Sequence, residues 1–173
     1  MAIFVFLQAQ FPMMPFYAIG CLFATCIIHT YVVIEEKVEN DVRSSALREF
    51  AVVVFDLNDL KTVNDTQGHE AGDAYIKDGC TLICHVFCHS PVFRIGGDEF
   101  VAFLTNEDYA NREDLFRNFN EHVERNLENR GVVVSAGISL YDHERDSGYD
   151  EVFARADVSM YERKKELKRR KTA

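Results

Sequence analysis

The first 34 residues contain no Asp, Glu, Lys or Arg, so all 28 acidic and 19 basic side chains of the 173-residue chain follow them. That absence divides the chain before any motif is considered. The uncharged stretch ends in FYAIGCLFATCIIHTYVVI, residues 16–34, close to the roughly 20 residues that cross a bilayer as a helix. It predicts a transmembrane helix over 16–34 within a membrane segment 1–34, leaving 35–173 as one globular domain. A basic start and a small-residue cleavage site are both missing ahead of EEKVEND, which argues against a secretory signal peptide. A buried core helix is the remaining alternative. Glu35, Glu36 and Lys37 signal no clear orientation.

A basic excess is also missing. The net charge is -9, and an acidic domain lacks the electrostatic footprint for gripping a phosphate backbone, so nucleic acid binding is disfavoured. A small phosphorylated ligand held through metal ions remains open. The five cysteines, at 21, 26, 80, 84 and 88, form no disulfide-like framework and include no Cys-x-x-Cys, which suits a reducing compartment. His85 and His89 beside Cys80, Cys84 and Cys88 invite a zinc reading, but one helix face does not supply a closed structural site. The three thiols are read instead as small apolar residues on the buried side of a helix. Internal repeats and low-complexity tracts are absent.

Periodicity orders the rest. VIEEKVENDVRSSALREF predicts an amphipathic helix beginning near Ile34. FAVVVFDL, Phe50 to Leu57, reads as a central strand buried on both faces. DLNDLKTVNDTQGHEAGD reads as a loop or short helix, and a long helix is expected from about Ala71 to Cys88, where Pro91 breaks it. Val92 to Leu104 predicts a hairpin. Leu115, Phe119, Val123 and Leu127 mark a helix closed by Gly131, VVVSAGISLY another strand, and residues 149–170 a last helix with a basic end. The order is helix, strand, helix, hairpin, helix, strand, helix. This is an α+β fold, an α/β sandwich with a central, mainly antiparallel sheet flanked by helices.

The chemistry concentrates at two turns. A strand ending in Asp56 and a hairpin tip carrying Asp98 and Glu99 bring three carboxylates together if the strands are neighbours, and such a group requires a compensating cation. Magnesium, a hard ion held by one or two carboxylates plus substrate phosphates, is the natural candidate. Gly96 and Gly97 let the backbone approach a bulky ligand. Ordinary turn chemistry is the competing account. An EF-hand reading of DLNDLKTVNDTQ fails, because Leu60 stands at the fifth position and Lys61 replaces the glycine required at the sixth.

RIGGDEF at Arg94 to Phe100, preceded by FDLNDLKTVNDTQGHEAGD at Phe55 to Asp73 and followed by SAGIS at Ser135 to Ser139 and ADVSMYERKK at Ala156 to Lys165, resembles the GGDEF family of diguanylate cyclases. The resemblance covers about Ile34 to Lys168. It implies a palm-like nucleotide cyclase fold that joins two GTP molecules into cyclic di-GMP, releasing pyrophosphate, on a homodimer of facing half-sites. It assigns Asp56 and Asp98 as magnesium ligands, helped by the Leu57 carbonyl and Glu99, with two Mg2+ per site and Mn2+ as an alternative. Asp98 also stands at the position of the candidate base. Backbone amides from Asp59 through Leu60 to Lys61 would cradle phosphate, and Lys61, Arg94 and Lys164 would contact it as cations. Asn64 and Asp73 occupy the guanine-recognition positions; read alone, they are helix-cap or turn residues. With the membrane segment, the resemblance implies a domain on the cytoplasmic side of the inner membrane.

The sequence departs from the family pattern at three places. No Asp-x-Leu-Thr-Gly-x-x-Asn-Arg motif occurs, and with it goes the usual segment ahead of the first domain helix that arranges the dimer. Leu167, Lys168 and Arg169 replace Gly-Arg-Asn. Phe87 and Ser90 stand where product inhibition uses Arg-x-x-Asp, so inhibition through that site is expected to be absent. A catalytically silent GTP-binding module is the alternative function.

Overall fold

A computed structural model describes residues 49–172. The expected span at 16–34 and the amphipathic helix after it lie outside these residues. Among the described residues no helix is long and apolar enough to cross a membrane.

The sheet grows from β1, Ala51–Leu57, whose seven residues are all buried. Its run of Val and Phe suits an extended backbone covered on both sides. β1 pairs antiparallel with β3, Glu99–Leu104, on one side and with β4, Val134–Leu140, on the other. The short β2, Val92–Arg94, adds to the outer edge of β3, giving the order β2-β3-β1-β4. All three pairings are antiparallel.

Five helices complete the described residues: α1 (Leu60–Gln67), α2 (His69–Val86), α3 (Asn106–Ala110), α4 (Arg112–Asn129) and α5 (Tyr149–Thr172). The expected loop or short helix after β1 is α1, separated from α2 only by Gly68 at φ 88, a left-handed backbone that glycine adopts without strain. The long helix therefore starts slightly before Ala71 and ends at Val86. α3 has no counterpart in the sequence reading. It is too short for periodicity to register, and its buried Asp108 accepts bonds from Ser90 Oγ at 2.7 Å and the His89 amide at 3.2 Å.

The two faces of β1 have different partners, as strand alternation requires. Ala51, Val53, Phe55 and Leu57 join one core with Ile83 and Val86 of α2 and Phe119 and Val123 of α4. Phe55, Phe87 and Phe119 form an aromatic trio with centroids 5.3 to 5.9 Å apart, in the tilted and edge geometries that favour ring contacts. The cysteine expectation needs correction: Cys80 is half-buried, while Cys84 and Cys88 are exposed. The buried stripe of α2 runs instead through Gly72, Gly79, Ile83 and Val86, and Cys84 sits one residue, roughly 100°, round from Ile83.

α5 packs against β4 and β1, and Gly137 of β4 allows its close approach. A Cβ there would lie 2.2 Å from both the Ala156 carbonyl oxygen and the Met160 amide nitrogen. Arg155 ties the start of α5 to the sheet, donating to Asp146, to the Leu140 carbonyl at 2.8 Å and to Ser139 Oγ at 3.0 Å. Farther along, Arg163 and Arg170 both donate to Glu124 of α4, at 2.6 to 2.7 Å. Those contacts set which α5 side chains reach the end of β1. Gly137→Ala should therefore lower unfolding stability by about 1 to 3 kcal/mol, the range for overpacking a closed contact. Gly148→Ala, where a Cβ meets nothing within 4 Å, is the matched control. Urea unfolding of both variants makes the comparison, and equal stability would contradict the close packing described.

Candidate functional site

Val52, Val54 and Asp56 form the second face of β1, so strand alternation delivers a carboxylate to the end of a buried row. Asp56 is 4% exposed. It lies opposite Glu99 of β3 and opposite Ser135 of β4. Directly opposed residues share a face of the sheet, and like charges so placed repel. Asp98 immediately precedes Glu99, and its carbonyl accepts the Leu57 amide at 2.9 Å, fastening the hairpin tip to β1. The structure thus gathers Asp56, Leu57, Asp98 and Glu99 at one end of two adjacent strands.

The hairpin tip is held by its own arginine. Arg94 donates through Nε to the Gly96 carbonyl at 3.1 Å and through Nη2 to the Gly97 carbonyl at 2.6 Å. Its guanidinium is therefore engaged with the turn rather than directed at an empty phosphate position. A Cβ on Gly97 would meet nothing within 4 Å, and neither tip glycine has positive φ. Neither turn geometry nor internal packing demands glycine at 97, so the space beside it is open to a ligand.

Lys164 of α5 donates to Asp56 Oδ2 at 2.6 Å. The other carboxylate oxygen, Oδ1, is buried without a hydrogen-bond partner. Burial pushes the Asp56 carboxyl above its usual range, the Lys164 hydrogen bond and charge pull it back, and Asp98 pushes it up again. Glu99 is also raised, first by partial desolvation of its carboxyl and then by repulsion from Asp98, Asp56 and Asp157. Both residues therefore stand to gain from an additional positive charge.

The oxygen-only donor set and the orphaned Asp56 Oδ1 fit a hard divalent cation. Among the described residues no three His, Cys, Asp or Glu side chains are grouped to hold a metal by themselves. The three carboxylates expected to share a cation therefore do not form a ready-made metal site by themselves.

After Leu57 the chain turns at Asn58 and Asp59. Asn58 is buried; its Oδ1 accepts Ser135 Oγ at 2.7 Å, and its carbonyl accepts the Tyr75 hydroxyl at 3.0 Å. The same Tyr75 oxygen accepts the Val133 amide at 3.0 Å, locking the turn between α2 and β4. Asp59 has φ 64 and leads into α1, the left-handed then right-handed sequence from which anion-binding nests are built. Leu60 is buried and Lys61 is exposed on the first turn. Asn64 lies against Gly72, where an added Cβ would be 1.9 Å from Asn64 Oδ1, so Asn64 and neighbouring Asp73 flank one side of the α1–α2 junction. Phe87 is fully buried, and Ser90 is bonded to Asp108.

The sequence reading did not single out Asn58, Tyr75, Ser135, Asp157 or Lys171. Lys171 Nζ binds Asp59 Oδ2 at 2.7 Å. The signal for it was available, since Lys164, Lys168 and Lys171 recur at the i, i+4, i+7 interval of one helix face. Lys168 indeed lowers the carboxyl of Asp56 electrostatically.

A family model described as diguanylate cyclase, GGDEF domain, matches residues 29–170. Over 136 residues the chain is 29% identical to the bifunctional diguanylate cyclase/cyclic di-GMP phosphodiesterase MucR of Pseudomonas aeruginosa, covering 76% of this chain and 19% of that protein. It is 32% identical over 123 residues to the probable diguanylate cyclase DgcT of Escherichia coli, covering 66% and 27% respectively. The chain therefore spans about a fifth of the first of these relatives and about a quarter of the second. Among solved structures, the GGDEF domain of YfiN (TpbB) from Pseudomonas aeruginosa is similar with a TM-score of 0.62 and 25% identity, over 78% of this chain and 89% of that one.

The Asp56–Lys164 pair makes a separate expectation. Lys164→Met should destabilise the protein by about 3 kcal/mol, because it leaves a buried carboxylate unpaired. Adding Asp56→Asn should recover most of that loss. Urea unfolding of the two single variants and the double variant reads the coupling, and strictly additive effects would contradict it.

Proposed function

The chain belongs to the GGDEF-domain diguanylate cyclase family, and we propose that it condenses two GTP molecules into cyclic di-GMP. The observation that carries this reading is the pairing of Asp56 with Glu99 across β1 and β3, beside Asp98, with one buried Asp56 oxygen lacking a partner. Apart from Lys164 on Asp56 Oδ2, the cluster keeps charge to offer a cation.

In this reading Asp56, Asp98, Glu99 and the Leu57 carbonyl would hold divalent metal, with magnesium as the cellular ion. A divalent ion held there would supply Lewis acidity, which would lower the pKa of the attacking hydroxyl and neutralise charge on the leaving pyrophosphate. Asp98 stands as the base that takes the proton from the 3'-hydroxyl of one GTP as its oxygen attacks the α-phosphorus of the other. The β1–α1 amides cradle the phosphates, with Lys61 and Lys164 as their cations. Arg94 keeps the tip in shape from behind. Asn64 and Asp73 read the guanine edge, where an amide and a carboxylate match donors and acceptors that adenine does not offer in the same places. Since each chain supplies one such half-site, two copies must face each other for the two bond-forming steps. Residues 16–34 would anchor the domain to the cytoplasmic face of a membrane. With buried Phe87 and hydrogen-bonded Ser90 at the Arg-x-x-Asp position, product feedback through that surface is not expected.

Incubation of the full chain with GTP and Mg2+, followed by chromatographic separation of the nucleotides, should yield cyclic di-GMP. Asp98→Ala should reduce the rate by at least about 10²-fold, the lower range for loss of a general base. GTP binding with no product, even when an appended coiled coil forces dimerisation, would overturn the proposal in favour of a silent GTP-binding module.

A further inference from the structure

Asp59 is held in an unusual state. An Asp preceding a helix ordinarily has extended backbone angles and accepts a hydrogen bond from an amide of the first turn. Here Asp59 has φ 64 and ψ 16 and makes no side-chain cap bond to α1. A left-handed conformation is uphill for most residues with a Cβ, and although Asp tolerates it better than most, a partner that holds the carboxylate outside the turn adds to its stability. Lys171 is that partner, reaching from the last turn of α5 to Asp59 Oδ2 at 2.7 Å. The first intrahelical bond of α1 runs from the Val63 amide to the Asp59 carbonyl at 3.0 Å, so the amides of Leu60, Lys61 and Thr62 precede it. Asp56 Oδ1, buried and unpartnered, lies at the end of the strand that leads into this turn, beside the proposed metal position.

Resting on the proposed GTP chemistry, we infer that Lys171 is a positioning residue that keeps the phosphate-binding turn open by holding the Asp59 carboxylate away from its own helix. Without Lys171, Asp59 relaxes to the ordinary capping conformation. Its carboxylate then occupies the first-turn amides that a GTP phosphate would use and places negative charge where the phosphate must sit. Lys171 thus acts on the substrate through Asp59 and not by gripping the phosphate itself. The distinction matters because a direct contact and an indirect one respond differently when Asp59 is changed.

The test measures Mg2+-dependent binding of 3'-deoxy-GTP, which cannot condense, to the full chain. Lys171→Ala should weaken affinity by about fivefold, the scale of one helix-capping hydrogen bond. Lys171→Arg should bind as the parent does. Asp59→Gly combined with Lys171→Ala should bind more tightly than Lys171→Ala alone, since glycine takes the left-handed conformation without strain and carries no carboxylate. Parent-like binding by Lys171→Ala, or a double variant as weak as Lys171→Ala, would overturn the inference while leaving the cyclase reading intact. No binding by the parent chain would overturn the cyclase reading and the inference with it.

Discussion

Asp56 and Glu99 face one another across two hydrogen-bonded strands, with Asp98 beside them, and their repulsion has to be balanced. The strands cannot relieve it by separating, because β1 is the inner strand between β3 and β4 and is buried along its length. Neither can Asp56 turn to water, being almost wholly covered. The protein answers with one lysine on one oxygen and leaves the other oxygen unsatisfied. A single buried hydrogen-bonding atom without a partner carries a desolvation cost of roughly 1 to 3 kcal/mol. Its retention at the end of a core strand is understandable where a cation completes the coordination.

The placement of α5 follows from that balance. Gly137 lets the helix backbone rest on β4, and the Arg155 and Glu124 ties fix its rotation and slide. With the helix so set, Lys164 meets Asp56, and Lys171, about two turns later, meets Asp59. One helix therefore addresses both ends of the turn that follows β1. The turn itself is locked from the other side by Asn58, Tyr75 and Ser135. Rigid support around this turn and its neighbouring carboxylates would suit phosphate chemistry, since positioning supplies much of the catalytic advantage.

Much of this architecture was legible in the sequence because its signals are local. Val52 to Val54 announce a doubly covered strand, the residues around Gly96 and Gly97 a hairpin, and the apolar spacing of Leu115, Phe119 and Val123 a helix. The antiparallel sheet and the meeting of Asp56 with Glu99 followed from those elements. What escaped depends on contacts between distant residues. Lys171 and Asp59 are remote in sequence, so the lysine spacing on α5 marks a basic face without naming Asp59 as its partner. Arg94 reads as a free cation until its turn carbonyls are placed around it. The cysteines of α2 misled because their four-residue spacing matches a buried helix face, while the glycines at 72 and 79 allow that face to lie one position earlier. α3 is too short for any periodic signal.

The central claim is that Asp56 and its neighbours are half of a metal site that substrate phosphates complete. Electron paramagnetic resonance of added Mn2+ tests it directly by counting bound ion in the full chain, with and without 3'-deoxy-GTP. The account expects weak binding without nucleotide, a gain of at least about tenfold in affinity with it, as expected for an ion that shares protein carboxylates with phosphate oxygens, and loss of that gain in Asp56→Asn. Mn2+ binding that ignores the nucleotide, or a gain that survives Asp56→Asn, would contradict it.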